Sequence, residues 1–220
     1  MPPTTSGRGK FPADSGGKED LKMKYGELTL GQVEAIVNKI GGVDGVRRLL
    51  AGELSVRATE ESKLLELLGT VTIPARAERF VVAEKFVVDT SENAKVKISY
   101  LGENLKALFL GKTENPMGES SLCYHKLCRY SRDIPIISEL GEEKAETTLA
   151  EIYVLLERQR NGKKGVLLTN GAANIFYVRN IHGDLCAVLA LCREDGWLVN
   201  AYSVGSPRVW NVGILVFSRN

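Results

Sequence analysis

Apolar positions recur at helical spacing near the start of the chain and predict a small helical unit over residues 25–69. Thr29 and Gln32 form a T-x-x-Q capping box, in which each side chain bonds a backbone N–H left free in the first turn. Apolar residues then follow every three or four positions, at Leu30, Val33, Ile36, Val37 and Ile40. Two further helices are predicted, a short one from Asp44 and one over residues 59–68.

The middle of the chain, residues 70–133, mixes patterns of both kinds. FVVAEKFVV (80–88) and KVKISYL (95–101) are rich in β-branched and aromatic residues, which is typical of strands. GENLKALFLG and LCYHKLCRY, the second preceded by Ser121 as a cap, are each interpreted as a short helix. The pattern therefore predicts a mixed α/β middle segment.

Residues 134–220 carry the clearest pattern, one amphipathic helix followed by several strands. Thr148 and Glu151 make a second capping box, and the helix behind them has one apolar face. Strand-like runs then alternate with turns such as IHGD and REDG. Connections this short favour antiparallel pairing, because a parallel crossover needs about a dozen residues. The predicted fold class is α+β, with the C-terminal amphipathic helix packed on a four- to five-stranded antiparallel sheet.

Three stretches of the chain resemble a family of uncharacterised bacterial hypothetical proteins. They are TLGQVEAIVNKIGGVDGVRRLLAGEL, EKAETTLAEIYVLLERQ and the region from NIFYVRN to the terminal VFSRN. The resemblance spans about residues 25–220, and its VFSRN-type ending is specific. It implies a bacterial cytosolic source and carries over no catalytic residues.

Composition places the chain among ordinary globular proteins. It has 220 residues, of which 44% are hydrophobic and 25% charged, and a formal net charge of +2. These values exclude a fibrous or wholly disordered chain, and the small net charge gives no general attraction to nucleic acids or membranes. Residues 1–24 are polar, charged and rich in Gly, Pro and Ser, so they are predicted to form a disordered tail.

Targeting and redox features predict a cytoplasmic protein. The N-terminus lacks the apolar core of a signal peptide. No apolar run reaches the length of about 18 residues that a membrane span needs, so no membrane contact is expected. The cysteines, Cys123, Cys128, Cys186 and Cys192, are predicted to be free thiols in a reducing compartment. No cofactor is expected, since no cofactor-binding motif is present.

Two groups of cysteine and histidine residues raise the question of a metal site. The first group is Cys123, His125 and Cys128, and the second is His182, Cys186 and Cys192. Thiolates and imidazoles both bind zinc. Neither group, however, has the C-x-x-C spacing of a zinc ribbon, and cysteines in apolar strands usually pack as small hydrophobic residues. We therefore expect no metal.

His182 and Arg219 are the candidate catalytic residues, and no complete catalytic set accompanies them. Imidazole titrates near neutral pH and serves as a general base, which applies to His182 and to His125 alike. His182 lies beside Asp184 in a predicted turn. The ordinary interpretation of such a position is a solvated turn tip.

The C-terminal segment also suggests an RNA-binding face. A helix followed by an antiparallel sheet is similar in layout to barnase-like bacterial ribonucleases, which cleave RNA without a metal. The candidate binding residues, which offer phosphate contacts or stacking surfaces, are Arg179, Tyr202, Arg208, Trp210, Ser218 and Arg219. The ordinary interpretation places the aromatic residues in the sheet core and the arginines at its rim.

The N-terminal helices offer a third interpretation, a helix-turn-helix in which Arg47 and Arg48 contact DNA. We disfavour it, because residues 25–68 carry more acidic than basic side chains and repel phosphate. The leading hypothesis is a non-enzymatic binding or interaction protein whose partner is an unidentified protein or RNA. The alternative is a metal-independent ribonuclease of the toxin type, or an RNA-binding module, that uses the C-terminal sheet.

Overall fold

The structure, a computed structural model, describes residues 28–56, 63–160 and 162–220. The chain divides into two compact units, Met1–Thr59 and Glu60–Asn220. The tail predicted over residues 1–24 lies outside the described residues. Within the described ranges, no helix is long and apolar enough to cross a membrane.

Seven helices and ten strands are present in the described residues. The helices are α1 (Leu30–Lys39), α2 (Gly42–Leu50), α3 (Val82–Lys85), α4 (Glu103–Phe109), α5 (Asp133–Leu140), α6 (Glu142–Ala145) and α7 (Leu149–Arg158). The strands are β1 (Leu65–Ile73), β2 (Phe80–Val81), β3 (Ile98–Leu101), β4 (Thr113–Glu114), β5 (Ser120–Leu127), β6 (Glu146–Thr147), β7 (Ala173–Arg179), β8 (Leu185–Arg193), β9 (Gly196–Ser203) and β10 (Leu215–Arg219).

The first unit contains the helix pair α1 and α2, and the predicted capping box opens α1. The Thr29 hydroxyl accepts a hydrogen bond from the Gln32 N–H, and the Gln32 side chain accepts one from the Thr29 N–H. Gly45 of α2 lies against the Ile40 carbonyl oxygen, where any side chain would collide. Gly45 is also the one buried residue among residues 28–56, so the apolar side chains of this pair are exposed or half-buried.

The second unit is built on a mixed eight-stranded sheet, which corrects the predicted four- to five-stranded antiparallel sheet. The strand order is β1-β5-β10-β7-β8-β9-β3, and β6 also pairs with β7. The meander of β7, β8 and β9 is antiparallel as predicted. Three other pairs are parallel, namely β10 with β7, β3 with β9 and β6 with β7. The prediction is wrong because it pairs only strands that are neighbours in sequence, whereas β1, β3 and β5 join the sheet from earlier in the chain.

Two segments predicted as helices form strands instead. The helix predicted over residues 59–68 is wrong from Leu65 onward, where β1 begins, and residues 59–62 lie outside the described residues. The segment LCYHKLCRY forms most of β5. Both strands place apolar side chains on both faces of the sheet, and this hides the two-residue alternation that identifies a strand.

The other elements predicted for the middle segment are partly confirmed. The helix predicted in GENLKALFLG is α4, and the end of the strand predicted over residues 95–101 is β3. In the strand predicted over residues 80–88, only Phe80 and Val81 are extended, as β2, and α3 follows at once.

Helix α7 packs on one face of the sheet and completes the larger core. Its predicted capping box is present, because the Thr148 hydroxyl accepts from the Glu151 N–H and the Glu151 carboxylate accepts from the Thr148 N–H. On the sheet, the rings of Phe176 and Phe217 stack with their centroids 4.4 Å apart. Both rings are fully buried, so this stack lies at the centre of the second unit.

Helices α5 and α6 cover part of the opposite face. Ile136, Ile137 and Ala145 pack there against Ile175 and Val216 of the sheet. Beyond the end of α5, the strands β1, β5 and β10 border an open cleft. The fold therefore leaves one region of this face available to a ligand.

Candidate functional site

A cleft of about 1050 Å³ lies between β1, β5, β10 and the end of α5, and we name it the His125 cleft. β5 contributes Cys123 and His125, α5 contributes Glu139, and β10 contributes Ser218 and Arg219. This volume is close to the upper end of the range for small-molecule sites. We therefore treat the His125 cleft as the candidate functional site.

Strand register explains why these residues meet. On β5, His125 lies between Leu67 of β1 and Val216 of β10, and Cys123 lies opposite Ser218 of β10. Side chains two residues apart on a strand share a face of the sheet. Cys123 and His125 therefore both lie on the face that α5 and α6 partly cover.

His125 is the titratable group at the centre of this site. Its Nδ1 atom is buried without a hydrogen-bond partner among the described residues. Burial lowers the pKa of His125, and the Val216 backbone and the negative charge of Glu139 offset this effect in part. The lowered pKa favours the neutral form of the imidazole at pH 7.

The carboxylates of the cleft are already engaged by the protein. Glu139 accepts hydrogen bonds from the backbone N–H groups of Leu64 and Leu65, at 3.2 and 2.9 Å. Glu66 lies 4.0 Å from the ammonium group of Lys126. Two backbone donors therefore hold Glu139, while the more exposed Glu66 makes only this long contact with Lys126.

Three cations of the cleft have no such partner. Lys63, Arg129 and Lys144 line the cleft and make no ion pair or hydrogen bond through their side chains with any described residue. Unpaired cations beside a neutral imidazole favour a negatively charged ligand. The lining of the cleft thus carries four Lys and Arg side chains against two Glu side chains.

Two of the predicted RNA-binding arginines converge on one glutamate. Arg179 Nε donates to the Glu146 carboxylate at 2.9 Å, and Arg219 Nε donates to the Glu146 carbonyl oxygen at 2.9 Å. Arg219 also lies 3.6 Å from the buried Glu151 carboxylate. The third member of this group, Ser218, is buried and donates to the Arg219 carbonyl. Much of the hydrogen-bonding capacity of these side chains is therefore used inside the protein.

The other three predicted binding residues form a separate cluster. The Arg208 guanidinium lies 3.7 Å from the ring centroid of Tyr202 and 5.5 Å from that of Trp210. Trp210 is 4% exposed. The arginine covers these rings, so they offer little free surface on which a base can stack.

The buried carboxylate of Asp133 is hydrogen-bonded to Trp210 of this cluster. Asp133 is fully buried, and its Oδ1 accepts hydrogen bonds from Trp210 Nε1 at 2.7 Å and from the Tyr177 hydroxyl at 2.9 Å. Burial raises the pKa of the Asp133 carboxyl, while the two hydrogen bonds and the positive charge of Arg208 oppose that shift. We interpret Asp133 as the residue that fixes Trp210 against the sheet.

His182 lies apart from the His125 cleft. It occupies an exposed turn between β7 and β8, where its N–H donates to the Asn180 side chain at 2.8 Å. All four cysteines are free thiols, and burial raises the pKa of Cys186 and Cys192. Over the described ranges, no three His, Cys, Asp or Glu side chains are grouped so as to hold a metal ion.

Sequence reasoning missed most of the His125 cleft. It considered His125 only as a zinc ligand or a general base, and it gave no role to Arg129, Glu139 or Lys144. The cleft depends on β5 lying between β1 and β10, which are distant in sequence. The available signal was the strand-like spacing of Cys123 and His125, and the helix interpretation concealed it.

Comparison of the chain with protein-family models, with curated proteins and with solved structures gives no match.

Proposed function

We propose that the protein is a binding protein whose His125 cleft takes an organic anion. The observation that carries this proposal is the excess of cationic side chains over carboxylates in the lining of the cleft, where Lys63, Arg129 and Lys144 make no ion pair with a described residue. An anion bound there gains Coulomb energy from the cations and from the protonated form of His125.

The ligand has an apolar body as well as a charged head. Leucine side chains form much of the lining, and Leu67 is 58% exposed on β1. Covering an exposed leucine contributes about 25 cal/mol for each Å² of apolar surface removed from water. A purely inorganic anion leaves that contribution unused, so an aromatic or aliphatic sulfonate, phosphate or carboxylate fits better.

Naphthalenesulfonate is a suitable probe, because its charge does not change with pH. We expect it to bind the wild-type protein more tightly than naphthalenemethanol or naphthylmethylamine does in a calorimetric or NMR titration. Replacing two cations together, Arg129→Gln with Lys144→Gln, should weaken sulfonate binding about tenfold, since each partly exposed charge contributes up to about 1 kcal/mol.

The matched control is Lys95→Gln with Arg193→Gln. These side chains are exposed, lie outside the His125 cleft and make no ion pair in the described residues, and their replacement changes the net charge equally. The proposal fails if the control pair weakens binding as much as the cleft pair does, or if the three probes bind alike.

A second candidate function is metal-independent cleavage of RNA, and His125 is the observation that favours it. An unprotonated imidazole is the form that takes a proton from a ribose hydroxyl, and the unpaired Lys144 lies in the same cleft. The candidate base is thus His125 rather than His182.

RNA cleavage is tested by incubating total RNA with the protein in the presence of EDTA. This function predicts cleavage that His125→Ala reduces about a hundredfold or more, as expected when a general base is lost. His182→Ala is the matched control and should leave cleavage unchanged. Intact RNA, or equal cleavage by both variants, rules this function out.

A further inference from the structure

A second concave surface lies between the β5–α5 and β9–β10 connections. Its volume is about 460 Å³, and it shares no lining residue with the His125 cleft. The two connections are bridged by paired backbone hydrogen bonds between Ser131 and Trp210, at 2.7 and 3.3 Å. The side chain of Trp210 is also hydrogen-bonded to the buried Asp133, so both connections are fixed beside this surface.

Large apolar side chains project from this surface into solvent. Tyr130 is 69% exposed, Ile134 is 65% exposed and Val209 is 49% exposed. We call these residues, with Arg132 and the neighbouring Arg208, the Tyr130 patch. Exposed apolar side chains grouped around a groove mark interaction sites more often than scattered ones do.

The exposed charges of the patch are positive, and the one carboxylate described above that interacts with Arg208, Asp133, is fully buried. No Asp or Glu lines the groove, and neither Arg132 nor Arg208 makes an ion pair with a described residue. Stacking on Tyr202 holds the Arg208 guanidinium in place, so less side-chain entropy is lost when a carboxylate binds it. Tyrosine and arginine are also the residue types enriched at the centres of protein interfaces.

We propose that the Tyr130 patch binds a peptide segment of a partner protein in which apolar side chains are flanked by carboxylates. The apolar anchor fills the groove beside Ile134 and Val209, and the carboxylates meet Arg132 and Arg208. This inference goes beyond ligand binding in the His125 cleft and does not depend on it.

Two other occupants fit the patch less well. A second copy of the chain, related by a twofold axis through the patch, brings two positively charged patches together, and the like charges repel. RNA binds through a series of free aromatic faces, whereas the patch offers only the Tyr130 ring among the described residues, since the Arg208 guanidinium covers Tyr202 and Trp210.

The test uses the full chain and fluorescein-labelled hexapeptides read by anisotropy. In the first peptide a central Leu-Phe pair is flanked by Asp and Glu; in the second the flanks are Lys; in the third the centre is Ala-Ala. We expect the first peptide to bind most tightly. Ile134→Asp and Arg132→Gln should each weaken its binding about tenfold, the loss typical of a central interface residue.

Matched controls separate the patch from general effects of charge and exposure. Ile181→Asp changes an isoleucine that is 47% exposed in the turn between β7 and β8, and Arg193→Gln removes an exposed arginine elsewhere, so both should leave binding unchanged. The proposal is overturned if the Lys-flanked peptide binds as well, or if Ile134→Asp has no effect. It is also overturned if a labelled oligouridylate binds the patch in place of the peptide, or if the wild-type protein forms a dimer that Ile134→Asp dissociates.

Discussion

Replacing Phe217 by alanine should lower the free energy of unfolding by about 3–5 kcal/mol. Phe217 is fully buried on β10, between β5 and β7, and its ring stacks on Phe176 at 4.4 Å and lies 6.2 Å from Tyr124. The substitution leaves a cavity where α7 meets the sheet and removes an aromatic pair. Urea denaturation followed by circular dichroism measures the loss.

The control for this prediction is Tyr100→Ala. Tyr100 is an aromatic residue on the edge strand β3 and is 46% exposed, so its truncation should cost less than about 1 kcal/mol. Equal losses for the two variants would place Phe217 outside the core and contradict the sheet order given above.

Glu114→Gln should lower the free energy of unfolding by about 2–3 kcal/mol, the range for a lost hydrogen bond to a buried charged group. Each carboxylate oxygen of Glu114 accepts from one backbone N–H at the start of α7, Leu149 at 3.0 Å and Ala150 at 2.8 Å. A glutamine amide turns a donor toward one of these N–H groups and removes the negative charge that favours a helix N-terminus. Thermal or urea unfolding measures the effect.

Glu119→Gln is the control for the cap. Glu119 is exposed in the same region of the chain and makes no ion pair in the described residues, so its change should be within about 0.5 kcal/mol. If Glu114→Gln is equally mild, the carboxylate does not cap α7 as described.

The two capping boxes show what local sequence determines. Thr29 with Gln32 and Thr148 with Glu151 were predictable, because both partners of each box lie within one helical turn. The meander of β7, β8 and β9 was predictable for a similar reason, since tight turns leave antiparallel pairing as the simple solution.

The sheet as a whole was not predictable, because its pairings join distant segments. β10 inserts between β5 and β7, and nothing local to Leu215–Arg219 specifies either neighbour. In β1 and the residue before it, four leucines at or before the bulge between Leu67 and Gly69 imitate a helical pattern. Tertiary pairing overrides local preference in both strands.

The candidate site, like the sheet, depends on contacts between segments that are distant in sequence. Local reasoning placed all six candidate binding residues on one face, whereas Tyr202, Arg208 and Trp210 form a cluster of their own in which the arginine covers the rings proposed for RNA. The His125 cleft needed β1, β5, β10 and α5 together, and only the folded chain brings Lys144 to His125. The cysteine and histidine spacing was examined only for a metal site, which it did not support.

The sign of the pH dependence follows from the environment of His125. Burial lowers its pKa in the free protein, and an anion bound beside it favours the protonated ring and raises that pKa. Binding therefore takes up a proton, so the affinity for naphthalenesulfonate should increase as the pH falls from about 8 to about 6.

The most direct test of ligand binding in the His125 cleft is an NMR titration of the histidine side chains with and without naphthalenesulfonate. The chain has two histidines, so His182, in its exposed turn outside the cleft, is an internal reference. We predict a pKa of His125 below the ordinary histidine value of about 6.5 in the free protein, and a higher pKa with the sulfonate bound. A pKa of His125 that the sulfonate leaves unchanged, or signals of His182 that respond as strongly, would contradict the proposed function.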